Sequence, residues 1–87
     1  MKTILYSSPA RDFIAKLDAP MKQRMKKKLE SLASGKTNGI FLHKPLQNYQ
    51  KLRIGTYRII FQEKGDDIIF VTHVEHRSKV YSFRLRK

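Results

Sequence analysis

Lys51, Arg53 and Arg58 fall close together in the stretch YQKLRIGTYRIIF, which runs from Tyr49 to Phe61. Apolar and polar residues alternate on both sides of Gly55-Thr56, the pattern of two strands joined by a two-residue turn. Glycine supplies the positive φ that the first position of a type II′ turn needs. Such a turn pairs Ile54 with Tyr57, Arg53 with Arg58, Leu52 with Ile59 and Lys51 with Ile60. Opposite residues share a face, and so do alternate residues along a strand. One face therefore carries Tyr49, Lys51, Arg53, Arg58 and Gln62, while Leu52, Ile54, Tyr57, Ile59 and Phe61 turn to the core. Like charges directly opposite on a sheet are destabilising. Keeping Arg53 across from Arg58 predicts a concavity whose normal occupant is an anion, most simply a phosphate.

RNA can be cleaved at such a site by its own 2′-hydroxyl. One group must take the hydroxyl proton, others must stabilise charge on the phosphate oxygens, and another must help the departing 5′-oxygen. Lys51, beside Arg53 and Arg58, is the candidate proton acceptor, because cations crowding a lysine disfavour its ammonium form. A simple second hairpin pairs Arg58 with His73 and Ile60 with Val71, which brings His73 and Glu75 onto the same face, with Arg77 following just past the strand.

Two other clusters extend the positive surface. KQRMKKK, from Lys22 to Lys28, sets Arg24, Lys26, Lys27 and Lys28 around the polar side of a helix, where they suit phosphate-backbone contact. The terminal HRSKVYSFRLRK contributes His76, Arg77 and Tyr81, and a tyrosine among cations suits base stacking. His73 and His76 fall on opposite faces of a strand and His43 lies in a distant loop, so no metal site is expected. No glycine-rich phosphate loop is present and no cofactor is implied.

These residues need a scaffold. Residues 2–7 suit a first strand, and Ser8 caps a helix opened by Pro9. Asp18-Ala19-Pro20 ends that helix and a second begins near Pro20. The second carries an apolar stripe of Met21, Met25, Leu29, Leu32 and Ala33 and stops at Gly35. A connection over 36–48 tucks Ile40, Phe41 and Leu42 beneath it, and strands follow at about 49–54, 57–63 and 67–75. Residues 78–87 form a short helix or an extended tail. The order is β-α-α-β-β-β, a helical hairpin packed on a small curled antiparallel sheet in the α+β class.

The chain has 87 residues, enough for one domain spanning 1–87. It lacks cysteine, which excludes thiolate chemistry and a disulfide framework and fits a reducing cytoplasm. Nineteen Lys and Arg against seven Asp and Glu give a net charge of +12 and call for a polyanionic partner. The basic helix hides its apolar side in the core, so it leaves nothing to insert into a membrane surface. No apolar run approaches a membrane span, and MKTILYSSPA is too short for a signal-peptide core.

KLRIGTYRIIF (51–61) and VEHRSKVY (74–81), in this order of elements, resemble the RelE/ParE toxin superfamily of toxin–antitoxin systems over nearly the whole chain. The resemblance implies a small toxin held inactive by a cognate antitoxin that wraps it. In the RelE-like branch it implies entry into the ribosomal A site, with the basic helix on 16S rRNA, and cleavage of mRNA there. Lys51 then matches a strand lysine proposed as general base, and Arg58 the arginine that stabilises the phosphate and assists the leaving group. Arg77 corresponds to an arginine after the last strand, and Tyr81 to the tyrosine that orients the mRNA base. The chain departs from the pattern at Tyr49, where a second lysine is frequent, and at Glu75, where many relatives have glycine. The KLRxGxYR pattern also occurs in ParE-like members, whose target is DNA gyrase. The expectation is a translation-inhibiting endoribonuclease, with a non-enzymatic gyrase inhibitor as the alternative.

Overall fold

The computed structural model describes residues 1–76, so Arg77, Tyr81 and the 78–87 tail lie outside the described residues. The elements are β1 (Thr3–Tyr6), α1 (Ser8–Ala15), α2 (Ala19–Ala33), β2 (Ile40–Phe41), β3 (Gln50–Ile54), β4 (Tyr57–Lys64) and β5 (Ile68–His76). The expected α+β order is present, with one addition and one correction. Two residues of the 36–48 connection form β2, and the sheet runs β1-β5-β4-β3-β2 with β1 parallel to β5, so it is mixed rather than wholly antiparallel. Alternation identifies the apolar side of β1 but carries no information about which strand it pairs with.

The helices begin and end on local chemistry. Ser7, one residue earlier than expected, caps α1: its Oγ accepts from the Ala10 amide at 3.2 Å, with Pro9 inside the first turn. Asp18 caps α2 through Oδ1, which accepts from the Met21 amide at 3.0 Å. After α2, Gly35 takes φ +81° and the Lys36 amide donates to the Ser31 carbonyl at 2.8 Å, a Schellman closure. The expected stripe on α2 is the buried one: Met25, Leu29, Leu32 and Ala33 pack with Ile54, Ile59, Phe61, Ile69 and Val71. Full burial of a side chain such as Phe61 or Ile59 contributes roughly 1.5–3 kcal/mol.

The first hairpin has the expected register, from Lys51 opposite Ile60 to Ile54 opposite Tyr57. Gly55 has φ +62° and no other residue type takes positive φ among the described residues, as a type II′ turn requires. The second hairpin corrects the expected pairing. Arg58 stands opposite Glu75, not His73, and Ile60 opposite His73, not Val71. A bulge at Ile60/Phe61 leaves Thr72 as the extra residue on β5. Hydrogen bonds hold it: the Ser7 hydroxyl donates to the Thr72 carbonyl at 2.7 Å, and the Thr72 hydroxyl donates to the Ile60 carbonyl at 3.1 Å. Without the bulge, Val74 would oppose Arg58 and His73 would oppose Ile59 in the core. The extra residue returns Val74 to the core and puts Glu75 and His73 on the charged face.

The connection is also corrected. Leu42 is buried with Ile60, but Ile40 and Phe41 are 64% and 62% exposed. They sit on a two-residue strand at the edge of the sheet.

Candidate functional site

β2 pairs with Lys51 and Gln50 only, so the edge of β3 from Leu52 to Ile54 is left open. A groove follows that edge between α2 and the charged face of the hairpin. Its first part, about 320 Å³, is lined by Arg24, Lys27, Lys28, Ser31 and Arg53 with the turn at Gly55. The adjoining part, about 300 Å³, shares Lys28 and Arg53 and adds Lys51, Arg58, Asn38 and Ile40. Arg24, Lys27, Lys28, Lys51, Arg53 and Arg58 thus line two adjoining concavities that share Lys28 and Arg53, and among the described residues neither lining contains a carboxylate.

The local sequence explains how each cation arrives. Residues 24, 27, 28 and 31 recur at helical spacing beside the stripe that buries Met25 and Leu29, so they flank the helix on the side nearest β3. Lys51, Arg53 and Arg58 alternate with Leu52, Ile54 and Ile59, which anchor the hairpin in the core. The Gly55 turn closes one end: a Cβ added there would stand 3.2 and 3.3 Å from the two terminal nitrogens of Arg24. The same glycine supplies the turn and makes room for a guanidinium.

Arg58 is half-buried, and its Nε–H, out of contact with solvent, has no hydrogen-bond acceptor among the described residues. A buried donor left without an acceptor costs about 1–3 kcal/mol, which an incoming oxyanion would relieve. Its two strand neighbours are Arg53 on β3 and Glu75 on β5. The cluster therefore has the make-up of a phosphate site: a fork of guanidinium donors, a lysine on the same face, and a positive wall across the groove.

Other residues singled out in the sequence lie apart from this concavity. Lys26 is exposed on α2 but lines neither part of the groove. Tyr49 packs with Leu42, Leu46 and Ile60 in a small second cluster on the charged face. His73 is half-buried opposite Ile60, its Nδ1 lies 3.2 Å from the Thr72 hydroxyl, and burial pushes its pKa below the ordinary 6.5. Burial therefore disfavours its charged form. His76 falls on the opposite face, edge-on to Tyr57 at 5.4 Å, and Tyr57 is edge-on to Phe13 at 5.8 Å. Asn38 and Ile40 line the groove without having been singled out; their place depends on β2, which two residues of sequence do not announce. Among the described residues no group of three or more His, Cys, Asp or Glu is arranged to hold a metal. No helix among them is long and apolar enough to cross a membrane.

Residues 4–81 match the family model described as the ParE toxin of the type II toxin–antitoxin system parDE. No curated protein sequence matches the chain. Among solved structures, it is similar to the isolated RelE toxin of E. coli, with TM-score 0.74 and 21% identity over 99% of this chain and 97% of that one. It is also similar to a chain of the RelB–RelE antitoxin–toxin complex of Methanococcus jannaschii, with TM-score 0.69 and 22% identity over 91% and 96% of the two chains. A third likeness is to a chain of the E. coli DinJ–YafQ complex, with TM-score 0.69 and 11% identity over 93% and 99%. At these identities the structural likeness speaks for the fold. The family match, which takes in both helices and the whole charged hairpin, makes the chain a toxin of the ParE family of type II toxin–antitoxin systems, within the RelE/ParE superfamily.

Proposed function

We propose that this toxin is a ribosome-dependent endoribonuclease that cuts mRNA in the A site and so stops translation in the cytoplasm. The observation that carries this reading is the groove where, among the described residues, six cations and no carboxylate form the lining and the buried Nε–H of Arg58 has no acceptor. In the proposed reaction Lys51 takes the proton of the 2′-hydroxyl. The 2′-oxygen bonds to the adjacent phosphorus, and the bond from phosphorus to the 5′-oxygen breaks. The products are a 2′,3′-cyclic phosphate and a 5′-hydroxyl, the latter taking a proton from solvent water as it leaves. Arg58 and Arg53 hold the charge that builds on the phosphate oxygens. Arg77 and Tyr81 keep the roles the resemblance implies, as a further phosphate ligand and a stacking platform. Arg24, Lys27 and Lys28 meet ribosomal RNA as backbone contacts, which set affinity and position rather than sequence choice. A cognate antitoxin, like the partners in the RelB–RelE and DinJ–YafQ complexes, would hold the toxin inactive by covering the groove.

Pulse labelling after induction tests the reading in cells. Incorporation of amino acids should fall within minutes while thymidine incorporation continues. The second reading, a non-enzymatic gyrase inhibitor, is favoured by the ParE family model itself. It requires the reverse order, with DNA synthesis failing first and supercoiling by purified gyrase inhibited.

A further inference from the structure

We propose that Asn38 and Ile40 form a nucleobase subsite beside the attacked phosphate and set the nucleotide preference of cleavage, with adenine as the favoured base. This inference rests on the ribonuclease reading above. The groove is not uniformly charged. Its second part has cations on the hairpin side, and at the far wall an exposed amide, Asn38, and a 64% exposed apolar side chain, Ile40.

Ile40 stands directly opposite Lys51 in the β2–β3 ladder. Directly opposite side chains in an antiparallel pair are close neighbours, with Cβ atoms about 4.5–5.5 Å apart. The group assigned to the 2′-hydroxyl therefore has an apolar surface beside it, on the same face. A nucleotide whose phosphate rests on Arg58 and Arg53 has its base within reach of that wall. An exposed isoleucine offers the face of a base an apolar surface to cover, and an asparagine offers its edge one donor and one acceptor side by side. That pairing suits adenine, which presents N7 as acceptor beside the N6 amino donor. Bases of single-stranded RNA are read in this manner on their exposed edges.

The wall is also fixed in place. A Cβ on Gly39 would stand 2.5 Å from Phe61 Cζ, so the backbone between Asn38 and Ile40 is pressed against a core ring. The Leu42 amide donates to the Tyr49 carbonyl at 3.0 Å, which ties down the other end of the segment. A reading surface needs such rigidity, because a loose one would discriminate weakly.

The test is sequencing of 5′ ends from a mixed message pool in a purified translation reaction, with wild type, Asn38→Ala, Ile40→Ser and a control, Asn48→Ala. Thermal melting of each variant checks folding, and both target positions are exposed. Asn38→Ala should reduce the preference for adenine at one position next to the cut by about tenfold. Ile40→Ser should lower cleavage of adenine-containing sites, and Asn48→Ala should match wild type. Unchanged preferences in folded, cleaving Asn38→Ala and Ile40→Ser variants would overturn the subsite and leave the ribonuclease reading standing. Variants that cleave as wild type but no longer bind a protein partner would also overturn it, and would assign the wall to protein docking. A wild-type chain that leaves every message intact would overturn both.

Discussion

Arg58 on β4 stands directly opposite Glu75 on β5, and the buried Nε–H of Arg58 has no acceptor among the described residues. With Arg53 on its other side, Arg58 sits in a strand row whose charges do not cancel. Removing its side chain relieves like-charge repulsion and a stranded donor, so Arg58→Ala should melt within a few degrees of wild type. The same change should lower mRNA cleavage by at least about 10²–10³-fold, as loss of a donor to transition-state charge does. Arg58→Lys should recover little activity, since a point charge does not reproduce a planar fork. Quantified cleavage beside a melting curve for each variant checks both halves.

Gly39 is required by contact rather than by backbone angle. An alanine Cβ there would stand 2.5 Å from Phe61 Cζ and 3.0 Å from the Gln50 side-chain oxygen, and Phe61 is fully buried. Gly39→Ala should destabilise the fold by roughly 1–3 kcal/mol, as overpacking of a core does. Urea denaturation with an unchanged slope measures it. Gly55→Ala should cost about 1–2 kcal/mol for a different reason, the φ of +62° that a Cβ resists.

Much of this was legible in the sequence, and the failures have physical causes. The first hairpin could be read to the residue because Gly55 dictates the turn and Leu52, Ile54, Ile59 and Phe61 alternate without a break. The second could not, because a bulge is a local insertion against an otherwise regular ladder. Its signal was nonetheless present: buried Val71 and Val74 are three apart where a regular strand would space them by two or four. Face membership of His73 and Glu75 survived the altered pairing, since the expected and observed partners of each face differ by two positions. The groove itself was half legible. Strand alternation brought Lys51, Arg53 and Arg58 together, but the approach of Arg24, Lys27 and Lys28 depends on how α2 crosses the sheet, and spacing along the chain does not encode that crossing. Ile40 and Phe41 read as buried by composition and lie exposed because an edge strand has no layer above it.

The helix cations differ in position, and salt dependence separates them. Arg24 and Lys27 line the groove, whereas Lys26 does not. If RNA follows the groove, Arg24→Ala and Lys27→Ala should each flatten the log–log salt dependence of RNA binding by roughly 0.7. Lys26→Ala should leave that slope unchanged. Fluorescence anisotropy with a short labelled RNA between 50 and 200 mM salt, the range over which such slopes are about linear, is the measurement.

Burial of His73 predicts a pH dependence of the fold. Burial lowers its folded pKa below the ordinary 6.5, so the unfolded chain takes up the proton first as pH falls. The stability His73 supports is fully present above 6.5 and is lost as pH drops from there through the lowered folded value. His73→Gln should remove that part of the decline. Comparing denaturation midpoints of the two proteins across this window checks it; parallel declines would contradict it.

Primer extension on one mRNA in a purified translation reaction tests the central claim most directly. Wild-type protein should create new 5′ ends within A-site codons, only when ribosomes are present, and folded Arg58→Ala should create none. An mRNA left intact by folded wild-type protein on translating ribosomes, or cut equally by folded Arg58→Ala, would contradict the account.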